Sequence, residues 1–314
     1  MKIITFDKIK DLNISPKQCY EWVTDALCEK YNAFLPAKIS LKPEINGVFY
    51  NTMPVILPFA GWGGVKVVTR YPNRVPSLDS EILLYDLETG ENVALLDGNW
   101  ITAMRTGAVA AHSIYLFAKK DFKTIGFIGV GNTARATLKV LLELFPEREF
   151  VIKIKKYKEQ HNEFAEMFSD YQNIVCEFCD TYEELVADSD VVVSAVTMME
   201  QDICSDEYYK EGILVVPIHT RGFTNCDLFF DKVFADDINH IKGFRYFEQF
   251  KSVAEVAEVI LKNKVGREND KERILAYNIG IALHDIYFAG KIFEMIDNQC
   301  TDISLNAPQS KFWV

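Results

Sequence analysis

The sequence predicts an α/β protein, in which a doubly wound parallel sheet is inserted into a second, mixed α+β domain. Three observations carry that prediction. The short apolar run Thr124–Ile128 ends in a glycine turn and passes into residues with helical spacing through Leu144. After it, apolar runs alternate with helical stretches, the pattern of βαβ units. Before it, most of the chain reads as strands and hairpins.

The elements follow in order. Ser15-Pro16 pairs an N-cap with proline at the first helical position and opens a helix to about Lys30. Phe34–Leu41, Gly47–Pro54 and Trp62–Tyr71 read as strands, the last carrying Lys66 among apolar residues. Glu81–Asp86 and Val93–Asp97 flank the turn Glu88-Thr89-Gly90-Glu91, a hairpin signal. Ile101–Ala118 reads as a crossover helix, with Arg105 beside the small residues of Thr106–Ala111.

Gly129-Val130-Gly131-Asn132-Thr133-Ala134 then supplies the glycine turn. Gly129 permits the bend, and Gly131 lets the backbone approach a pyrophosphate. Ala134 keeps the helix near the sheet, and the first-turn N–H groups face the anion. Between a strand and a helix this is the Rossmann dinucleotide fingerprint. These six residues are assigned to the cofactor, together with Thr106 and Thr197.

Beyond it, Phe150–Ile154, Ile174–Phe178, Asp190–Val196 and Gly212–Pro217 read as strands, with Lys232–Asp236 as the last. Helices are expected over Gln160–Phe168 and from Tyr182, the second capped by Thr181. Arg273–Met295 reads as one long helical pattern that packs back on the first domain. The expected domains are residues 1–117 with 270–314 for substrate binding and dimerisation, and 118–269 for the dinucleotide.

Bulk properties narrow the partners. The 314 residues are 49% hydrophobic and 25% charged, an ordinary globular balance suited to two domains. A net charge of −11 argues against nucleic acid and anionic membrane as partners. The stretch Met1–Leu12 has no apolar core of leader type, and no apolar run is long enough to span a bilayer. Seven irregularly spaced cysteines suit reduced thiols in the cytoplasm. Cys176-Glu177-Phe178-Cys179 has no second pair to complete a zinc site, so it is read as structural and no metal is expected.

Lys66 and Arg105 stand out because each lies among small or apolar residues. A buried cation needs a partner. Each alone is equally well read as half of a structural ion pair; two converging cations make a carboxylate site, with Arg contributing a bidentate fork. Lys38, after Pro36 on a neighbouring strand-like stretch, is a third candidate.

With these residues in view, the chain resembles the ornithine cyclodeaminase/mu-crystallin family over nearly its whole length. The matching segments are Met53-Pro54, Gly64-Val65-Lys66, Leu84-Tyr85-Asp86, Leu96-Asp97-Gly98, Thr102–Thr106, Gly129-Val130-Gly131, Ser189-Asp190 and Ile279–Asp285. The resemblance implies a split substrate domain that forms a homodimer, with the Rossmann domain inserted. It implies NAD(P) at the glycine turn and an amino-acid carboxylate held by Lys66 and Arg105, with Lys38 where relatives carry an arginine. Gly266-Arg267-Glu268-Asn269-Asp270 is similar to the opine-type dehydrogenases of the family.

Two departures set the activity. Where the cyclodeaminases carry a Glu two residues before Met-Pro, this chain has Asn51. Where they carry an Asp ahead of a loop glycine, alignment on Gly222 puts His219. Cyclodeamination needs carboxylates to move protons and to orient the side-chain amine. Without them the single hydride half-reaction is the better reading: an NAD(P)-dependent enzyme that reduces the C=N bond of an imino acid, or oxidises an amino acid in reverse. The mu-crystallin branch, which reduces ketimines, lacks the same Asp. Lys66 and His219 are the candidate catalytic residues. His219 is either a proton donor near neutral pH or a loop histidine bonded to a carbonyl. A cyclodeaminase is the alternative, and a cofactor-binding protein without turnover the next.

Cofactor choice is read where the second Rossmann strand ends. An NAD enzyme places an acid there, whereas this chain has Lys155-Lys156-Tyr157-Lys158 and no acid until Glu159. Lys155 and Lys156 suit a 2′-phosphate and favour NADP over NAD; the other reading is a solvated charge run.

Overall fold

The computed structural model describes residues 1–196, 199, 202–219, 227–296, 300–305 and 310. They form two compact units: Met1–Asn13, Asn32–Ile101 and Asp285–Val314 in one, Ile14–Tyr31 and Thr102–His284 in the other.

The chain opens with β1 (Lys2–Ile4) and α1 (Phe6–Asp11), which Thr5 caps. α2 (Pro16–Cys28) starts where its signals place it, Ser15 accepting from the Gln18 N–H and Pro16 standing where no N–H is needed. Then come β2 (Ile39–Leu41), β3 (Phe49–Leu57), β4 (Trp62–Arg70), β5 (Leu78–Asp86), β6 (Asn92–Asp97) and α3 (Asn99–Phe117). An alternating series follows: β7 (Thr124–Ile128), α4 (Asn132–Leu144), β8 (Phe150–Lys155), α5 (Gln160–Met167), β9 (Ile174–Cys179), α6 (Tyr182–Ala187) and β10 (Val191–Ser194). The remaining elements are β11 (Leu214–Pro217), β12 (Lys232–Ala235), β13 (Val253–Glu255), α7 (Val256–Ile260), β14 (Ile274–Tyr277), α8 (Ala282–Met295) and β15 (Thr301–Asp302).

The first unit is a mixed seven-stranded sheet in the order β15-β1-β6-β5-β4-β3-β2. Alternation along each strand gives it two faces. On one, Met53, Lys66, Ile82 and Leu96 stand opposite one another across β3 to β6, and all are buried. α8 from Asp285 onward covers this face so closely that a Cβ on Gly64 would come 2.6 Å from Ile286, and Gly290 lies against the Trp62 ring. On the other face Pro54, Val65, Leu83, Leu95 and Ile3 form an apolar row in register, each only half-buried.

The second unit is an eight-stranded sheet in the order β13-β12-β14-β11-β10-β7-β8-β9, parallel throughout. Its central strands are buried on both faces, as parallel strands between helices must be. Asp190 fixes the base of β7. Burial raises its carboxyl, but the N–H groups of Lys123 and Thr124 and the ammonium groups of Lys210 and Lys119 outweigh that and hold it at about 2.

Three expectations are corrected here. Arg273–Met295 is not one helix: Ile274–Tyr277 form β14, inserted between β11 and β12, and the helix begins only at Ala282. A four-residue apolar run has no period of its own to separate strand from helix, and the break comes at Gly280, whose φ is +93°. Lys232–Asp236 is therefore not the last strand of the sheet, since β13 and β14 follow it. The compact units also fall differently from boundaries at 117 and 269. β14 completes the parallel sheet, and α2 docks on α4, where the Lys17 N–H donates to Glu143 at 2.7 Å.

Candidate active site

Strand order reverses beside β7, whose neighbours are β8 on one side and β10 on the other. In open α/β sheets the crevice past the carboxyl ends of such strands is where ligands bind. Gly129 turns the chain there at φ +83°, and a Cβ on it would lie 2.9 Å from the Ala195 carbonyl oxygen. Gly131 is the N-cap of α4 and makes no side-chain cap; a Cβ on it would meet nothing within 4 Å. The turn is thus open at Gly131, beside the leading N–H groups of a thirteen-residue helix, the setting in which helix N-termini take anions. Val130 and Ala134 are buried beneath the turn, Thr133 is half-buried, and Asn132 is exposed.

His219 lies two residues past β11, at the same carboxyl edge. Its Nε2 is 2.6 Å from Ser194 Oγ at the end of β10, and both residues are buried. The structure thus pairs one ring nitrogen of His219 with a hydroxyl. Sequence reasoning passed over Ser194, because a serine ending an apolar strand carries no local mark.

Arg105 is buried in α3, and the two terminal nitrogens of its guanidinium face Gly280: a Cβ there would come 2.9 Å from Nη1 and 3.2 Å from Nη2. The Gly280 N–H donates to the buried Asp236 carboxylate, which also accepts from the Asp237 N–H. Thr106 is buried beside Arg105, its hydroxyl turned back to the Thr102 carbonyl at 2.6 Å. Asn278, at the end of β14, accepts from Ser113 of α3 at 3.1 Å and donates its N–H to the Pro217 carbonyl at 2.9 Å.

In the other unit Lys66 Nζ lies 2.6 Å from Asp285 Oδ1. The sequence offered a clue to this partner: His284-Asp285 is a polar pair at the start of a helix that runs apolar to Gly290 save for Tyr287, and Lys66 lacks a countercharge nearby in sequence. Lys38 is half-buried just ahead of β2. Asn51 shares the Met53 face of β3, and its Oδ1 accepts from Ser40 at 2.6 Å.

Lys155 Nζ donates to the Lys156 carbonyl at 3.2 Å and sits over the Tyr182 ring. Lys156 Nζ lies 2.9 Å from Asp180, so β9 delivers to this corner the acid that the local sequence lacks. Thr197 lies outside the described residues, as does Gly222. Arg267 spends its guanidinium on the carbonyls of Phe117, Asn269, Glu272 and Gly212, which makes it a tie between segments. Cys176 and Cys179 are free thiols in β9. No helix among the described residues is long and apolar enough to cross a membrane.

A doubly wound sheet with an open glycine turn at its switch point defines a dinucleotide-binding protein with a second, mixed-sheet unit. The chain belongs to the ornithine cyclodeaminase/mu-crystallin family, whose model matches residues 3–299. It is 28% identical over 273 residues to the nodulation efficiency protein NfeD of Rhizobium meliloti, covering 83% of this chain and 84% of that protein. It is 25% identical over 249 residues to a delta(1)-pyrroline-2-carboxylate reductase of Bacillus cereus, covering 74% and 76%. Among solved structures, the Thermococcus litoralis delta(1)-pyrroline-2-carboxylate reductase in complex with NADH and L-proline superposes with a TM-score of 0.83 at 27% identity, covering 94% of this chain and 97% of that one.

Proposed function

We propose that this chain, an NAD(P)-dependent oxidoreductase of the ornithine cyclodeaminase/mu-crystallin family, reduces the C=N bond of a 2-imino acid or oxidises the corresponding amino acid. One observation carries the reading: the two positions where the family resemblance places cyclodeaminase carboxylates hold no acid but side chains already hydrogen-bonded, Asn51 to Ser40 and His219 to Ser194. The relatives that reduce pyrroline-2-carboxylate point the same way.

The glycine turn with Val130, Asn132, Thr133 and Ala134 holds the dinucleotide pyrophosphate, with Thr106 and Thr197 beside it. When bound, the dinucleotide supplies or accepts the hydride. Lys66 and Arg105 bind the substrate carboxylate, assisted by Lys38. Gly280, by lacking a Cβ, leaves room at the end of the Arg105 fork. His219 presents a ring N–H for the reacting end of the ligand. Lys155 and Lys156 face the ribose 2′ position. The mixed-sheet unit carries the dimer function, and the parallel-sheet unit the dinucleotide.

The half-buried row Ile3, Leu95, Leu83, Val65 and Pro54 is the face we assign to a homodimer. The six described cysteines are free thiols, which suits a cytoplasmic setting. The test is a screen of cyclic imino acids and of keto acid plus amine pairs, followed by NAD(P)H absorbance. Stoichiometric loss of NAD(P)H with one of them supports the reading, and loss with none refutes it.

A further inference from the structure

We infer that Arg70 binds a second anionic group on the substrate, so that the imino acid this protein takes is a dicarboxylic one. The inference rests on the placing of the substrate carboxylate at Lys66 and adds the chemistry of the far end.

A strand sends alternate side chains to one face, so Lys66, Val68 and Arg70 of β4 all stand on the face that carries Met53 and Ile82. Lys66 and Arg70 are two such positions apart, about 13 Å along the strand. In register on this stretch, Met53 and Ile82 flank Lys66, Asn51 and Ser80 flank Val68, and Phe49 and Leu78 flank Arg70. None of the six is acidic. Asp79 and Glu81 alternate with Ser80 along β5 and belong to the opposite face.

Arg70 is half-buried, yet its surroundings leave its charge intact. Its Nη1 donates to the carbonyl of Gly47, which turns there at φ +73°. A Cβ on Gly47 would come 2.5 Å from the same nitrogen, so glycine is what lets the guanidinium lie this close. A backbone carbonyl takes up one of five donors and cancels no charge. The Nε is buried with no hydrogen-bond partner among the described residues, and no described carboxylate pairs with Arg70. The neighbouring cations differ: Lys66 has Asp285 at 2.6 Å, and Arg74 reaches Asp79 at 3.5 Å. A half-buried guanidinium without a countercharge favours an anion, and a carboxylate matches its fork. A ligand that reaches from Lys66 to Arg70 carries its two anionic groups at the ends of a short carbon chain, as 2-iminoglutarate does.

The experiment has two arms. NAD(P)H oxidation is followed with 2-oxoglutarate plus ammonia and with 2-oxopentanoate plus ammonia, keto acids of one length that differ in the second carboxylate. Calorimetry measures the binding of glutarate and of pentanoate to the protein with NADP present, and it decides where neither keto acid turns over. The unaltered protein is expected to favour the diacid by about tenfold or more, the scale of one charge-assisted contact. Arg70→Met is expected to remove most of that preference, and Arg70→Lys, which keeps the charge without the fork, to retain part of it. No preference, or one for the monoacid, in the unaltered protein overturns the inference, and that result needs no variant to fold. A preference that survives Arg70→Met overturns it too and leaves Arg70 as a tether of the Gly47 turn. So does a changed NADP affinity in Arg70→Met with the acid preference unaltered, which puts the contact on the dinucleotide. Glutarate held by the unaltered protein and lost in Arg70→Met, with no imino acid of the wider screen reduced, sinks the reductase reading and leaves the Arg70 assignment standing.

Discussion

Lys66 and Asp285 form an ion pair at 2.6 Å whose side chains are 1% and 0% exposed. Lys66 faces inward from β4 between Met53 and Ile82, and α8 brings Asp285 onto the same face. Two charges so far from water hold each other in place, and removing either takes away a buried ion-pair partner. Asp285→Ala is expected to destabilise the protein by about 3–5 kcal/mol, the usual consequence of breaking a buried pair from one side. Replacing both, Lys66→Met with Asp285→Leu, is expected to recover most of that stability while turnover stays absent. Urea unfolding checks the first half and the NAD(P)H assay the second. Full turnover in the double variant would remove Lys66 from the substrate site.

Arg105 answers a different question, since its unit also holds the dinucleotide turn. If Arg105 holds the substrate carboxylate as proposed, Arg105→Ala removes a charge-assisted bidentate contact, a loss on the order of 2–3 kcal/mol or more in transition-state binding. Turnover is expected to fall by about thirtyfold or more by that conversion, with dinucleotide affinity within a few-fold of the unaltered protein. Gly280→Ala is the finer probe. Its Cβ would stand 2.9 Å from Nη1, so the guanidinium must shift and the imino-acid KM is expected to rise. Normal kinetics in Arg105→Ala would move the carboxylate site elsewhere.

For the dinucleotide, NADPH is expected to bind more tightly than NADH through Lys155 and Lys156. The contact of Lys156 with Asp180 at 2.9 Å moderates that preference, because a phosphate must share or displace the carboxylate. Asp180→Asn is therefore expected to raise the NADPH to NADH affinity ratio by roughly two- to fivefold, the range of an exposed pair. Fluorescence titration measures it. An unchanged ratio, with NADH preferred in both proteins, would assign these lysines to the solvated surface.

His112 ties stability to pH. It is buried in α3 against the Tyr20 ring, and burial lowers its pKa from 6.5 to about 4. The unfolded chain binds this proton more readily than the folded one, so the stabilisation is complete above about pH 6.5 and is lost as pH falls toward 4. The full shift is worth about 3 kcal/mol at most. Thermal unfolding of His112→Phe across that range is expected to show a flatter acid limb. An identical slope in both proteins would assign the acid sensitivity to other groups.

What the sequence made legible were features that act at fixed short spacing. The glycine turn, the Ser15-Pro16 helix start and the Thr181 cap each declare themselves within a few residues, and each stands where it was expected. Lys66 and Arg105 were visible because a cation among apolar residues contradicts its neighbours. Their surroundings were not visible. Asp285 is 219 residues from Lys66 along the chain, and only the docking of α8 on the sheet brings them together. Ser194 and His219 meet because β10 and β11 are adjacent, a fact of topology and not of spacing. Ile274–Tyr277 misled for the reason that makes it a good central strand: both its faces are buried, so it has no polar residues to reveal a period of two.

The two enzyme classes of this family separate on redox balance. A cyclodeaminase returns its nicotinamide to the starting oxidation state, so ornithine yields proline and ammonia with no net change in NADPH. A reductase consumes one NADPH for each imine reduced. Reduction asks the protein for a carboxylate clamp and an N–H donor, the roles proposed above for Lys66, Arg105 and His219. Cyclisation asks in addition for carboxylates beside the reacting amine. Asn51 is neutral and bonded to Ser40, and His219 is bonded to Ser194, so neither provides a negative charge. The expected outcome is stoichiometric NAD(P)H oxidation with a cyclic or amine-derived imino acid, and no ammonia from ornithine. Asn51→Glu with His219→Asp would restore both carboxylates; if the missing charges are the whole difference, that double variant gains ornithine-dependent ammonia release and loses imine reduction. Proline formed from ornithine by the unaltered protein, with cofactor present only in catalytic amount, would overturn the reductase assignment.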